Sequence, residues 1–288
     1  MAESGAPLSP LGGTEVHDLH SAIVDDTFRV FVGHCGSEGV DGAAVLYLVD
    51  ANGMFGAVVD TIRLMQLSQF LPPLLVVGVG YRTGTLADAA VRRTRELTPT
   101  PWPGYVRFAP HDPPRGGAPQ FLAFIRDELT PWVTDRFGGA ANGATFFGHS
   151  LGGLFASYVL LNATDTFANY VIGSPSLWWD KQVLFDQEAA YAAAHDDLRA
   201  NVFFGIGALE TNEGRALEAS RLDDEGRALA SAVYLDMVDD LERFVAQLGG
   251  RGYPSLRMHH EVYADEFHIT VPFLILSRGL RRLLDAPG

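Results

Sequence analysis

The sequence has almost no lysine and almost no cysteine. Lys181 is the single lysine, so lysine chemistry is confined to one residue with no motif around it. Cys35 is the single cysteine, which excludes an internal disulfide and makes a reducing, cytoplasmic setting the expectation. It stands between Gly33-His34 and Gly36. That context predicts a hairpin loop with no base beside the thiol, so Cys35 is not read as a nucleophile. Positive charge is also scarce. Lys+Arg number 21 against 35 Asp+Glu, a formal net charge of −14. A general nucleic-acid or anionic-membrane binder needs the opposite sign. No apolar run reaches the length of a membrane span, so no membrane partner is expected either. Residues 1–13 are rich in Ala, Gly, Pro and Ser and lack a basic n-region and an apolar h-region. They read as a loose tail, not a signal peptide.

What the chain does have is a large apolar complement: 47% of its 288 residues are hydrophobic. That suits one large α/β domain. Two alternating stretches, Val16 to Ser21 and Thr27 to Val32, read as strands. Ala43 to Val49 and Leu74 to Val79 are continuous apolar runs with a helical pattern, Met54 to Leu67, between them. Strands apolar on both faces that alternate with helices predict a mostly parallel sheet covered on both sides. Tyr81 to Pro114, with Arg82, Arg92, Arg93, Arg95 and several prolines, reads as a long irregular stretch. Phe121 to Phe137 is amphipathic. Later strands are expected at Phe167 to Ile172, Asn201 to Ile206 and Leu256 to Tyr263. Helices are expected at Lys181 to His195, Ala232 to Leu248 and Val271 to Leu284, and a polar, partly helical stretch at Glu213 to Ala230. Residues 178–198 are expected to form a small helical lid.

The organising stretch is Gly148-His149-Ser150-Leu151-Gly152. An apolar run, Ala144-Thr145-Phe146-Phe147, precedes it and a helical pattern follows it. Strand, tight Gly-x-Ser-x-Gly turn and helix together make a nucleophile elbow. The turn holds Ser150 in a strained conformation with its hydroxyl clear of the sheet, and Gly148 and Gly152 avoid collisions with neighbouring backbone. The helix N-terminus aims the Leu151 N–H at an oxyanion forming beside Ser150. A second donor should come from the Asp50–Gly53 loop after the third strand, from Ala51 or Asn52.

A serine hydroxyl needs a base. In a fold of this kind the acid and then the histidine follow the serine, each on a loop after a later strand. His268, between the last strand and the last helix, fills the base position. His149 lies inside the elbow, cannot easily turn back onto its neighbour, and is assigned to the substrate side. Glu210 ends the strand NVFFGIG and is the candidate acid, with Asp223, Asp224 and Asp239 as rivals, or a Ser–His pair with no committed acid. Asp265 and Glu266 are near His268 only if the loop folds back. Trp178 and Trp179 are candidates for an aromatic pocket wall, with Arg82 beside them; the alternative is one core indole and one partly exposed. No metal or organic cofactor is required by this chemistry.

The chain resembles the putative-esterase family of α/β-hydrolases, and within it the siderophore-esterase-like branch. The likeness rests on VLYLVDANGMF (45–55), LLVVGVGYR (74–82), RELTP (95–99), GHSLGGLFASYVLL (148–161), SPSLWWD (174–180), GALE (207–210) and FHITVPFLILSRGL (267–280). The resemblance implies an α/β-hydrolase fold, Ser150 as nucleophile and His268 as base. It places Glu210 in the family's Gly-x-x-Glu segment. Family members cleave aryl esters, thioesters and macrocyclic trilactones, or transfer acyl groups. For the catecholate ligands of the siderophore branch a basic pocket is expected. Arg82, Arg92, Arg93, Arg95 and Arg115 are the residues that could supply it here. The expected activity is hydrolysis of a small-molecule carboxylic ester or lactone, aromatic or macrocyclic. The rivals are acyl transfer or thioester hydrolysis at the same site, and a non-catalytic binding protein.

Overall fold

The computed structural model describes residues 11–36, 43–83, 85–103, 114–221 and 236–284. Eight strands form one sheet in the order β1-β2-β4-β3-β5-β6-β7-β8. They are β1 (Thr14–Ser21), β2 (Asp26–Cys35), β3 (Ala44–Leu48), β4 (Leu74–Tyr81), β5 (Ala140–His149), β6 (Asn169–Gly173), β7 (Ala200–Gly207) and β8 (Leu256–Tyr263). The β1–β2 and β2–β4 pairs are antiparallel. From β4 through β8 every pair is parallel. This is the α/β-hydrolase fold expected from the sequence.

The continuous apolar strands are explained by two cores. Tyr47, Phe146, Ile172 and Phe204 point into one core, while their chain neighbours Leu48, Phe147, Val171 and Phe203 point into the other. Successive side chains of a strand face opposite ways, so a strand buried on both faces must be apolar at every position. A one-residue slip would swap the two sets, and each buried side chain is worth roughly 1.5–3 kcal/mol. Helices α1 (Ala51–Leu67) and α9 (Pro272–Leu284) cover one face through Phe55, Val58, Ile62, Ile275 and Leu280. The other face carries α2 (Leu86–Glu96), α3 (Ala118–Phe124), α4 (Thr130–Phe137), α5 (Leu151–Asn162), α6 (Val183–Ala194) and α8 (Met237–Gly250). A π turn, Ile125–Leu129, joins α3 to α4, and α7 (Asn212–Ala219) follows β7.

Three expectations need correction. The stretch after Tyr81 is not wholly irregular, because α2 lies in it. Its cap is legible in retrospect: the Thr85 side chain accepts from the Asp88 N–H. Its arginine-rich surface hid it, since its buried contacts are few. Cys35 is the last residue of β2, buried, and burial pushes its thiol up to about 11. It stays protonated, which agrees with its exclusion as a nucleophile by another route. The expected lid helix is packed into the α5 layer. Leu184 is buried there, Phe185 meets Phe244 of α8, and Glu188 pairs with Arg251 and Gln247. No helix among the described residues is long and apolar enough to cross a membrane.

Candidate active site

The parallel register brings the carboxyl ends of β3, β5, β6 and β7 to one edge. Leu48 lies opposite Phe147, and His149 opposite Gly173, which is opposite Gly205. The loops that follow these residues are therefore neighbours, which is where open α/β sheets place their sites.

Ser150 sits at the tightest point of the β5–α5 turn, at φ 62° and ψ −121°. A non-glycine residue there is strained and persists only when its surroundings fix it. They do: Ser150 N donates to Gly173 O at 3.0 Å, and Ser150 O accepts from Leu154 N at 2.9 Å and Ser176 N at 3.1 Å. A Cβ on Gly148 would lie 2.1 Å from Gly152 O, and one on Gly152 would lie 2.8 Å from Val49 Cγ2. Gly148 is required by close backbone approach, and Gly152 by the approach of the Val49 side chain. Among the described residues the Ser150 hydroxyl, half-buried at the turn, has no hydrogen-bond partner.

The candidate acid and base come from two distant loops. His268 Nδ1 lies 2.6 Å from Glu210 Oε2, with the side chains 27% and 1% exposed. The other oxygen, Oε1, accepts from Gly207 N at 2.9 Å and from Ser174 Oγ at 2.5 Å. A carboxylate on Nδ1 assigns the proton there and leaves Nε2 bare to accept one. The rivals lie elsewhere. Glu266 binds Thr270 Oγ1, and Asp239 pairs with Arg243. Asp223 and Asp224 lie outside the described residues.

His149 departs from expectation. It is buried, with Nε2 2.9 Å from His268 O and its ring 4.6 Å from the His268 ring. Burial, and then the neighbouring His268, hold its pKa well below the ordinary imidazole range, so it is neutral.

On the oxyanion side, Leu151 opens α5 and Asp50 caps α1 at φ 58°. The first α1 amides with an acceptor are Gly53 and Met54, both on Asp50 O. Ala51 and Asn52 precede them, where a helix leaves its N–H groups unclaimed. The Asn52 side chain is engaged: it accepts from Tyr81 N at 2.7 Å and donates to Tyr81 O at 2.9 Å. Any donation by Asn52 to a reacting group is thus left to its main chain. The Asp50 carboxylate is held by Arg93 through bonds of 2.7 and 2.8 Å.

Trp179 is fully buried, its Nε1 donating to Thr100 Oγ1 at 3.1 Å. Trp178 is half-buried and lines a cleft of about 720 Å³ with Lys181, Gln182, Asp236, Asp239, Asp240 and Arg243. Trp102 completes a cluster of indoles, 6.4 Å from Trp178 and 5.4 Å from Trp179. Sequence reasoning missed Trp102, because its proline-rich surroundings offered no period to place it. Backbone strain continues below Trp178, with positive φ at Asp180, Lys181 and Gln182. Arg82 follows β4 but is 63% exposed and faces Asp18 of β1 at 3.5 Å. Among the described residues no cluster of three or more His, Cys, Asp or Glu could hold a metal.

Residues 92–239 match the sequence profile of the Putative esterase family. The chain belongs to that family. It is 30% identical over 285 residues to the ferri-bacillibactin esterase BesA of Bacillus subtilis, covering 96% of this chain and 91% of the relative. It is 29% identical to the siderophore triacetylfusarinine C esterase of Aspergillus fumigatus, over 82% of this chain and 80% of that one. The fold is shared with siderophore hydrolase EstA from Aspergillus nidulans, at a TM-score of 0.78, 24% identity, and 96% and 97% coverage of the two chains. The BES protein from Bacillus cereus matches at a TM-score of 0.77, 24% identity, and 95% and 97% coverage. This esterase-family chain is a carboxylic-ester hydrolase, in the siderophore-esterase-like branch.

Proposed function

We propose that the protein hydrolyses a siderophore-type ester or lactone, aromatic or macrocyclic, through an acyl-enzyme on Ser150. The observation that carries this reading is the Glu210–His268 contact of 2.6 Å on the loops beside the strained Ser150 elbow. Ser150 attacks the acyl carbon while His268 Nε2 takes its proton. Glu210 stabilises the imidazolium that forms. The main-chain N–H groups of Leu151 and of Ala51 or Asn52 hold the oxyanion. His268 then protonates the leaving alcohol, and water, activated by the same imidazole, releases the acid. The names of the relatives, esterases of ferri-bacillibactin, triacetylfusarinine C and enterobactin, support an iron-chelating ester as substrate.

Trp178, with Trp102 beside it, supports an aromatic or ring-shaped substrate, since a stacked pair adds about 0.5–1.5 kcal/mol beyond burial. The arginines near the site argue against a strongly anionic one. Arg82 faces Asp18, Arg92 and Arg95 face Asp26, and Arg93 holds Asp50. Each is already balanced by a carboxylate.

The test is a serine-directed phosphonate and a panel of aryl esters, lactones and aliphatic esters. The probe is expected to label Ser150 alone, aryl and aromatic-lactone esters to outperform aliphatic ones, and Ser150→Ala to lose several orders of magnitude in kcat. Near-normal turnover by Ser150→Ala would sink the assignment.

A further inference from the structure

His149 is a buried imidazole that the reaction above does not use. It sits directly before the nucleophile in sequence, yet its contacts are with a residue 119 positions away. Its Nε2 faces the His268 carbonyl oxygen at 2.9 Å, and its ring lies 4.6 Å from the His268 ring at an interplanar angle of 37°. A carbonyl can only accept, so Nε2 carries the proton and Nδ1 is bare. Among the described residues Nδ1 has no hydrogen-bond partner, and it lies 2.9 Å from where a Cβ on Gly173 would stand. The ring is thus wedged between Gly173 of β6 and the His268 loop, with one donor used and no room to turn.

The backbone on either side of His268 is fastened by Leu209 N to Glu266 O and Val271 N to Phe267 O, both at 3.1 Å, and His149 adds a bond to His268 itself. Its neighbours expose their side chains: Ile269 is 72% exposed, and Asp265 sits at a positive φ. Glu210 fixes the imidazole at Nδ1, but a single contact leaves the ring free to swing about it. His149 supplies a second point, on the main chain of His268, and a flat surface against the ring. Because His149 ends β5 and Ser150 follows it directly, the bond ties His268 to the strand that leads into Ser150.

We propose that His149 is a positioning residue that holds the His268 loop at its working distance from Ser150. This rests on the reading of Ser150 and His268 as nucleophile and base. Its two properties can be separated. His149→Gln keeps a donor near the Nε2 position without the ring. His149→Phe keeps a ring without the donor.

The donor is the essential part. His149→Phe is expected to lose about 10- to 100-fold in kcat, the scale of a small misplacement of reacting groups, with KM little changed. His149→Gln is expected to recover most of that loss. Both variants should keep the wild-type number of ionisations in the pH–rate profile, since His149 is neutral and transfers no proton. A proton NMR measurement on the folded protein reads the pair directly. The Nδ1–H resonance of His268, shifted downfield by Glu210, should broaden in His149→Phe through faster exchange and stay sharp in His149→Gln. Wild-type kcat in His149→Phe overturns the proposal, as does equal loss in both variants or disappearance of an ionisation. If His149→Phe does not fold, His149→Gln decides alone: near-wild-type kcat and a sharp resonance support the proposal, and a loss above about 10-fold overturns it. Failure of the phosphonate to label Ser150 in the wild-type protein would instead mean that the reading of the site is wrong.

Discussion

Between Gly148 and Gly152 the chain is fixed by close approach and backbone bonds, whereas the His268 imidazole is held by a side-chain hydrogen bond to Glu210. The elbow side has a strained Ser150, a strand–helix approach that admits no Cβ, and backbone bonds from Ser150 to Gly173 and Ser176. The His268 side has Glu210, shared by His268, Ser174 and Gly207 N. Shape governs the first half. In the second, the identity of single donors and acceptors governs, and those can be altered with little change of volume.

That contrast is most sharply broken by Glu210→Gln. The amide oxygen can still accept from Ser174 and Gly207. The amide nitrogen, however, is a donor facing His268 Nδ1 and selects the wrong tautomer. The expected result is a loss on the order of 10⁴ in kcat with the fold intact, read by steady-state kinetics beside urea unfolding. If kcat stays within a few-fold of wild type, another group orients the ring.

Gly148→Ala probes the other half. The new methyl would meet Gly152 O at 2.1 Å, a backbone atom that cannot move without shifting α5. We expect a stability loss of at least about 3 kcal/mol, the upper part of the range for overpacking, together with loss of turnover. Here activity and stability fall together, unlike Glu210→Gln. An unchanged urea midpoint would mean that the elbow is not held by this approach.

Ser174 gives the smallest and most diagnostic effect. It is fully buried at φ 38° and donates 2.5 Å to Glu210 Oε1. Ser174→Ala removes one donor and leaves Gly207 N–H, so kcat should fall about 10-fold, near the lower end for a hydrogen bond to a charged group. Ser174→Gly should lose the same activity while tolerating the positive φ better. A stability difference between the two variants with equal kcat would confirm that strain and hydrogen bond are separate contributions.

The elbow was legible because its causes are local. Glycine spacing, an apolar run before it and a helical period after it all lie within about fifteen residues. The order of strands was legible from runs apolar at every position. α2 was not, since arginines that look solvent-facing in sequence are bound to Asp26 of β2 and to Asp50, which caps α1. The contact of Glu210 with His268 was reached by topology, Glu210 being the carboxylate just past the strand before β8. Nothing in the sequence could tell that Ser174 would share that carboxylate.

By itself the sequence determined the Gly-x-Ser-x-Gly turn that strains Ser150 and the alternation of strands and helices, because each follows from steric limits on neighbouring residues. The tertiary structure alone decided that His149 bonds the His268 loop, that Trp179 is core while Trp178 lines a cleft, and that Arg82 faces Asp18. Glu210 and His268 are 58 residues apart, and His149 and His268 are 119. Contacts of that range exist only once the parallel register of β5 through β8 has set the strand ends side by side, and no local pattern encodes that register.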